Sequence, residues 1–245
     1  MKNLKIYAYH RITPIERGTL SVTIENFDRQ IRYMLDKGYE CINLAQLYDK
    51  YIKAGREPEK KCFVITFDDG YADNYMHAYP VLKKYGITAS IFLTANYISS
   101  REIFPWDKQR FEIPVSEDYP MTKNNIEEML AYGIDFGSHT LNHHLLTTVS
   151  IDTAKEEIEK SKKVLEDMLG KEILSFCYPA GNLNEEVCKL VESAGYKLAV
   201  VTPPRKGIKE TDFTLKRIGI YQKDDMFRFA MKSNKLIYYI KEITK

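Results

Sequence analysis

Along this chain a segment with helical spacing of apolar residues, then a glycine, then a short run of β-forming residues recurs five times. A glycine just past a helix accepts the left-handed backbone conformation that ends the helix, so each of these glycines indicates a helix end. The five are Gly38, Gly86, Gly133, Gly170 and Gly195. Repeated helix–strand units predict an α/β fold, either a barrel or a doubly wound sheet.

The β-forming runs are nearly continuous in apolar residues, most clearly at 62–65, 89–93 and 198–201. Strands of this kind are buried on both faces, as in parallel sheets covered by helices. We therefore predict a single domain over residues 1–245. The pattern breaks at about 97–121, where prolines and aromatic residues indicate an irregular insertion that either lines an active site or only packs on the fold.

The charge balance argues against some classes of partner. The chain has 36 Lys and Arg residues against 34 Asp and Glu residues, so we expect no nucleic-acid partner. Charge-free stretches such as 86–100 are too short and too polar at their ends for a membrane span. No apolar run precedes Arg11, which predicts a cytoplasmic protein, or a secreted one if the natural chain starts earlier.

The four cysteines are far apart and form no C-x-x-C pair. Each has apolar neighbours, which predicts reduced core residues. They are Cys41, Cys62, Cys177 and Cys188.

Polar and reactive residues follow several of the β-forming runs at the point where each run ends. They are His10, Asp68, Asp69, His139 and Pro179. In barrels and open α/β sheets the carboxyl ends of the strands carry the active site. We therefore expect these residues, which are far apart in sequence, to lie close together.

Asp68 and Asp69 are adjacent carboxylates that follow an apolar strand and precede Gly70. They repel each other and lose hydration there, so a cation or a shared proton should stabilise them. The same three residues would also form an ordinary Asp-Asp-Gly turn.

Three of the five histidines lie within six residues of one another. His139 and His143 are four residues apart, so a single helical turn would place both imidazoles on one side. Two imidazoles and a carboxylate are a common ligand set for catalytic zinc, and iron(II) uses the same set. His144 and His77 are expected to be structural.

Residues 66–70 (Thr-Phe-Asp-Asp-Gly) and 139–143 (His-Thr-Leu-Asn-His) resemble the first two motifs of the polysaccharide deacetylases, the NodB-homology enzymes of carbohydrate esterase family 4. Their order, their separation and their place at strand ends match that family. The resemblance implies a distorted (β/α) barrel with about seven parallel strands.

The same resemblance implies roles for individual residues. Asp68 would be the general base, and Asp69, His139 and His143 would bind a divalent metal. Zinc is the expected ion, with cobalt, nickel or iron as alternatives.

Two departures from the family pattern concern the base and the acid. Cys177 stands where the third motif usually carries an arginine that holds the base, and no late histidine follows His144 to act as the acid. However, Tyr9-His10 near the start and the segment 176–181 (Phe-Cys-Tyr-Pro-Ala-Gly) resemble the poly-N-acetylglucosamine deacetylase branch. In that branch the N-terminal histidine lies at the metal site, which implies that His10 is the acid. The third-motif residues expected to contact the substrate or the oxyanion are Tyr178, Pro179 and Ala180.

The function implied by the resemblance is metal-dependent removal of N-acetyl groups from amino-sugar units of a glycan or glycan precursor. The expected partner is thus an N-acetylated saccharide. The two departures motivate an alternative, a catalytically silent carbohydrate-binding relative. A magnesium-dependent phosphohydrolase fits less well, because Mg²⁺ prefers oxygen ligands to imidazole.

Overall fold

A computed structural model describes residues 1, 3–110, 113–202 and 207–234 of the chain. The strands are β1 (Leu4–Tyr9), β2 (Arg11–Thr13), β3 (Ser21–Thr23), β4 (Glu40–Cys41), β5 (Cys62–Phe67), β6 (Ser90–Leu93), β7 (Asp135–Ser138), β8 (Ser175–Cys177), β9 (Leu198–Val201), β10 (Leu215–Lys216) and β11 (Ile218–Gly219). The helices are α1 (Ile24–Asp36), α2 (Leu44–Lys50), α3 (Tyr79–Lys84), α4 (Lys123–Tyr132), α5 (Ile151–Leu169), α6 (Glu185–Ser193) and α7 (Met226–Ser233). A capping helix is also expected at 234–245 from the sequence, but apart from Asn234 this segment lies outside the described residues. No described helix combines the length and the apolar character needed to cross a membrane.

The central sheet is parallel and nearly closes into a barrel. Its strands follow the order β10–β9–β8–β7–β6–β5–β1–β11, and β4 pairs with β5 beside this path. Only Arg217 separates β10, which pairs with β9, from β11, which pairs with β1. The segment from Leu215 to Gly219 therefore joins the two ends of the sheet. Counted as one strand, this closing segment gives a barrel of seven strands among the described residues, and the predicted (β/α) barrel is confirmed.

The helices end where the glycines predict. All five glycines have positive φ, and Gly133 and Gly170, with φ of 111° and 63°, directly end α4 and α5. Ala154, Ile158 and Leu165 lie along the buried face of α5, at the spacing that the sequence shows.

The strands are buried as expected, and every residue of β5 and β9 is buried. The predicted run at 62–65 continues to Phe67, while β9 has the predicted bounds. The four cysteines are free thiols, of which Cys62 and Cys177 are buried and the other two half-buried.

The described parts of the insertion, 97–110 and 113–121, are irregular apart from short 3₁₀ turns, among them Pro105–Asp107 and Ser116–Asp118. A buried ion-pair network ties it to the barrel. The Arg11 side chain, which is 3% exposed, donates to Asp73 and to Asp118, each at 2.7 Å. Because the insertion is held at the carboxyl end of β1, it lies near the residues that follow the strands.

Candidate active site

The carboxyl ends of the parallel strands bring together the residues that the sequence predicts to converge. β1 leads into His10, β5 into Asp68 and Asp69, and β7 into His139. Arg217 joins them from the closing segment. All five side chains lie at the same end of the barrel because parallel strands point in one direction.

Asp69, His139 and His143 have the geometry of a metal-ligand set. The Nε2 atom of each histidine lies 3.5 Å from Oδ1 of Asp69, which is too long for a good hydrogen bond. Two ligand atoms on one tetrahedral zinc ion, each about 2.0–2.1 Å from it, would lie about 3.4 Å apart. The spacing therefore fits a shared ion better than direct contact between the side chains.

The route by which the two imidazoles converge differs from the prediction. His139 directly follows β7, and the segment to His143 is an irregular loop rather than a helical turn. Thr140 and His143 have left-handed backbones, with φ of 68° and 64°. The helical turn expected from the spacing is therefore wrong, although the two rings do come within 4.8 Å of each other.

Both histidines are held in the form that binds a metal. The Nδ1 atom of His139 lies 2.8 Å from the carbonyl oxygen of Cys177, so that its N–H donates there and Nε2 keeps its lone pair. Burial lowers the pKa of His139 to about 3 and that of His143 to about 4. Both are therefore neutral at pH 7. Burial raises the pKa of Asp69 to about 7, and the charge of Asp68 adds to this effect.

These pKa values predict how metal binding depends on pH. Of the three proposed ligands, only Asp69 should take up a proton between about pH 6.5 and about pH 5, so the apparent affinity should fall about tenfold per pH unit. Isothermal titration of zinc at several pH values measures this slope. A slope near zero would contradict a metal-binding Asp69 with a raised pKa, and a slope of two or more would contradict the lowered pKa values of His139 and His143.

Asp68 is held by Arg217 in a buried two-point ion pair. The guanidinium Nη1 and Nη2 atoms donate to Oδ1 and Oδ2 of Asp68 at 2.6 and 2.7 Å. Burial alone would raise the pKa of Asp68, but the charge and the hydrogen bonds of Arg217 outweigh it and hold this pKa well below its usual range. Asp68 is therefore an ionised carboxylate next to the metal-ligand set.

Arg217 takes the place of the arginine that the family's third motif usually provides to hold the base. It was not identified from the sequence. It reaches Asp68 from the closing segment, and its Nη2 atom lies 3.1 Å from Sγ of Cys177, the residue at the expected arginine position. Arg217 also donates to Thr66 and Thr202, both at 2.8 Å. The available signal was an arginine two residues after Leu215 in a short β-forming segment, where strand alternation places it on the same face as that apolar residue.

His10 lies beside the base. Its Nε2 atom is 3.8 Å from Oδ2 of Asp68, and its buried Nδ1 atom has no hydrogen-bond partner within the described part of the chain. The other two histidines point to different carboxylates. His77 contacts Glu117 at 2.8 Å and His144 contacts Glu157 at 3.2 Å, as their predicted structural roles require.

The third-motif residues differ in burial and in their contacts. The buried phenol of Tyr178 donates to the carbonyl of Phe213 at 3.0 Å, which makes it a packing residue, and Pro179 is buried at the start of a 3₁₀ turn. Ala180 is exposed and left-handed, with φ of 50°. At Gly181 a Cβ atom would come within 2.7 Å of the Thr202 carbonyl oxygen, so the turn needs a glycine there. The oxyanion role of the Ala180 N–H stays a prediction.

The insertion lines the site through Trp106. Its ring lies 4.4 Å from the His143 ring, and its Nε1 atom donates to the hydroxyl of Tyr71 at 2.9 Å. That hydroxyl donates to the buried carboxylate of Asp107 at 2.5 Å. Of the two roles expected for the insertion, the structure therefore favours lining the site.

Comparisons with known proteins agree with this arrangement. The family described as polysaccharide deacetylase matches residues 55–199, more than half of the chain. The chain belongs to the polysaccharide deacetylase family. Its relatives include Bacillus subtilis YxkH, which is 32% identical over 201 residues, 82% of this chain and 65% of YxkH. The chain thus spans just under two thirds of the length of that relative.

Two further matches cover nearly the whole chain of this family member. The poly-beta-1,6-N-acetyl-D-glucosamine N-deacetylase of Staphylococcus aureus is 27% identical over 245 residues, covering 94% of this chain and 77% of that protein. Among solved structures, the Streptococcus pyogenes deacetylase PplD in complex with acetate has a TM-score of 0.75 at 26% identity. That match covers 94% of this chain and 97% of PplD.

Proposed function

We propose that this protein is a divalent-metal-dependent hydrolase that removes N-acetyl groups from amino-sugar units of a glycan or glycan precursor. The observation that carries the proposal is the Asp69, His139 and His143 set next to an ionised Asp68. The name of the S. aureus relative supports an N-acetylated amino sugar as the substrate class.

The donor set favours zinc, because two imidazoles and one carboxylate with a position left for water are typical of catalytic zinc sites. Cobalt, nickel and iron(II) suit the same donors. When bound, such an ion supplies polarisation of the amide carbonyl and makes water easier to deprotonate.

Asp68 takes the proton from the attacking water in this proposal. A carboxylate with so low a pKa is a weak base, so it suits a water molecule that is already acidified. The Arg217 ion pair keeps the carboxylate charged and fixes both of its oxygens, which orients the base before substrate arrives. Attack on the acetamide carbon then leads to cleavage of the C–N bond, with acetate and a free amine as products.

His10 is the proposed acid that gives a proton to the departing nitrogen. Replacing His10 with alanine should lower kcat by about 10²–10⁴-fold, the usual contribution of general acid catalysis. Steady-state acetate release from the variant, compared with the wild type at several pH values, measures this effect. Unchanged turnover across the pH range would remove His10 from the reaction.

Two arrangements support an enzyme over a silent carbohydrate-binding relative. Arg217 supplies the charge missing at Cys177, and His10 supplies an imidazole beside the base in the absence of a late histidine. Both departures that motivated the silent alternative therefore have replacements at the site.

The test is acetate release from a panel of N-acetylated glycans, with a chelator and with metal added back. We expect release from at least one amino-sugar substrate, its loss with chelator and its return with zinc or cobalt. Binding of these glycans without acetate release would instead support the silent relative.

A further inference from the structure

Glu157 is a buried acid on helix α5 whose side-chain hydrogen bonds and ion pair, among the described residues, go to the loop that carries His143. The residue is 3% exposed. Its Oε2 atom accepts the backbone N–H groups of Leu141 and Asn142 at 3.1 and 2.8 Å. Its Oε1 atom accepts Nδ2 of Asn142 at 2.6 Å and lies 3.2 Å from Nδ1 of His144.

The loop needs such an anchor because its backbone is locally unfavourable. Thr140 and His143 both carry a Cβ atom and both adopt left-handed φ values, a combination that persists only where the surroundings hold it. The hydroxyl of Thr140 accepts the His143 N–H at 2.8 Å. Glu157 fixes the two residues between them, Leu141 and Asn142, through their backbone N–H groups.

A carboxylate suits this position better than an amide would. It has no donor of its own, and its oxygens can accept several N–H groups at once. The negative charge, removed from water on α5, is stabilised by these short donors. Glutamine would turn one end of the side chain into a donor facing the Nδ2 donor of Asn142.

We propose that Glu157 is a positioning residue, which holds the 141–144 loop so that Nε2 of His143 faces Asp69. The inference rests on the proposed metal role of His143. It predicts that disturbing Glu157 weakens metal binding and alters the coordination geometry, although Glu157 does not touch the ion.

The direct test is Glu157→Gln in the full chain. We expect zinc affinity, measured by competition with a chromophoric chelator, to fall about tenfold or more, the usual cost of losing a group that orients metal ligands. The visible absorption spectrum of the cobalt-loaded variant should also shift from that of the wild type. Thermal unfolding of the metal-free proteins checks that both are folded.

Glu159→Gln is the matched control. Glu159 lies on the same helix, half of its side chain is exposed, and it pairs with Lys155 at 3.8 Å. This control should keep wild-type zinc affinity and the wild-type cobalt spectrum.

A charge-conserving double variant, Glu157→Gln with Asn142→Asp, provides a rescue. The new amide can donate to the new carboxylate at position 142, which still accepts the Nδ2 group of Asn96, now at 2.7 Å. Recovery of most of the zinc affinity would show that the contact between the two positions acts on the metal site, because a general loss of stability would not be repaired in this way.

Each outcome decides between the two proposals. If the wild-type protein binds neither zinc nor cobalt, the proposed function fails. If the wild type binds zinc and Glu157→Gln binds it equally well with the same cobalt spectrum, the role of Glu157 is wrong. If Glu157→Gln does not fold, Glu157→Asp keeps the charge but draws the carboxylate back by one methylene from the N–H groups of Leu141 and Asn142. Zinc affinity of that variant equal to that of Glu159→Gln would then overturn the role of Glu157.

Discussion

Replacing Asp68 with asparagine should lower kcat for acetate release by about 10²–10⁴-fold and leave metal binding intact. The amide cannot accept the proton of the attacking water, yet the ligand set of Asp69, His139 and His143 is unchanged. Acetate release and zinc titration on the same preparation measure the two effects. Wild-type turnover by this variant would contradict Asp68 as the base.

The neighbouring carboxylate provides the control. Asp69→Asn should lose both metal affinity and turnover, because it removes one of the ligands. The contrast between adjacent positions separates proton transfer from metal binding. Loss of zinc from Asp68→Asn would show that the two carboxylates share one role.

Replacing Arg217 with methionine should lower the free energy of unfolding by about 3–5 kcal/mol, because it leaves the buried Asp68 charge without its partner. Turnover should fall as well, since the base loses the groups that orient it. Chemical denaturation of the metal-free protein and acetate release measure the two effects.

In Arg217→Met the contribution of Asp68 to the pH dependence of stability should have the opposite sign from that in the wild type. In the wild type the pKa of Asp68 is lowered on folding, so the stability it contributes is present above its unfolded pKa and lost as the pH falls. Without Arg217, burial raises that pKa, and the variant should instead become less stable as the pH rises.

The double variant Asp68→Asn with Arg217→Met identifies the cause. If the uncompensated charge is responsible, the double variant should be more stable than Arg217→Met alone, because the buried side chain is then neutral. Additive losses from the two substitutions would contradict a direct coupling between the residues.

Local patterns in the sequence were sufficient for the strand and helix framework and for most of the site. Gly133 and Gly170 end helices because their positive φ is favourable only for glycine. A single residue type therefore predicts each helix end. Asp68, Asp69 and His139 follow directly from apolar strands, and the direction of a parallel sheet places them together. These predictions depend on neighbours in sequence, which explains their success.

The contact of Arg217 with Asp68 and the shape of the loop to His143 could be found only from the folded structure. Arg217 contacts Asp68 across 149 positions of sequence, and no local rule pairs them. The spacing of His139 and His143 suits a helical turn and a loop equally well. The loop forms instead of a helical turn because β7 ends at Ser138 and because Glu157, 14 residues beyond His143 on α5, holds the loop backbone.

The barrel-closing segment has a consequence for synthesis on the ribosome. Its two halves pair with the first and the ninth strands, and Arg217 between them supplies the counter-ion of Asp68. A nascent chain that has emerged only as far as position 214 would carry Asp68 and Asp69 yet lack the arginine that pairs with Asp68. The ion pair of Asp68 with Arg217 therefore forms only when the final strand segment completes the barrel.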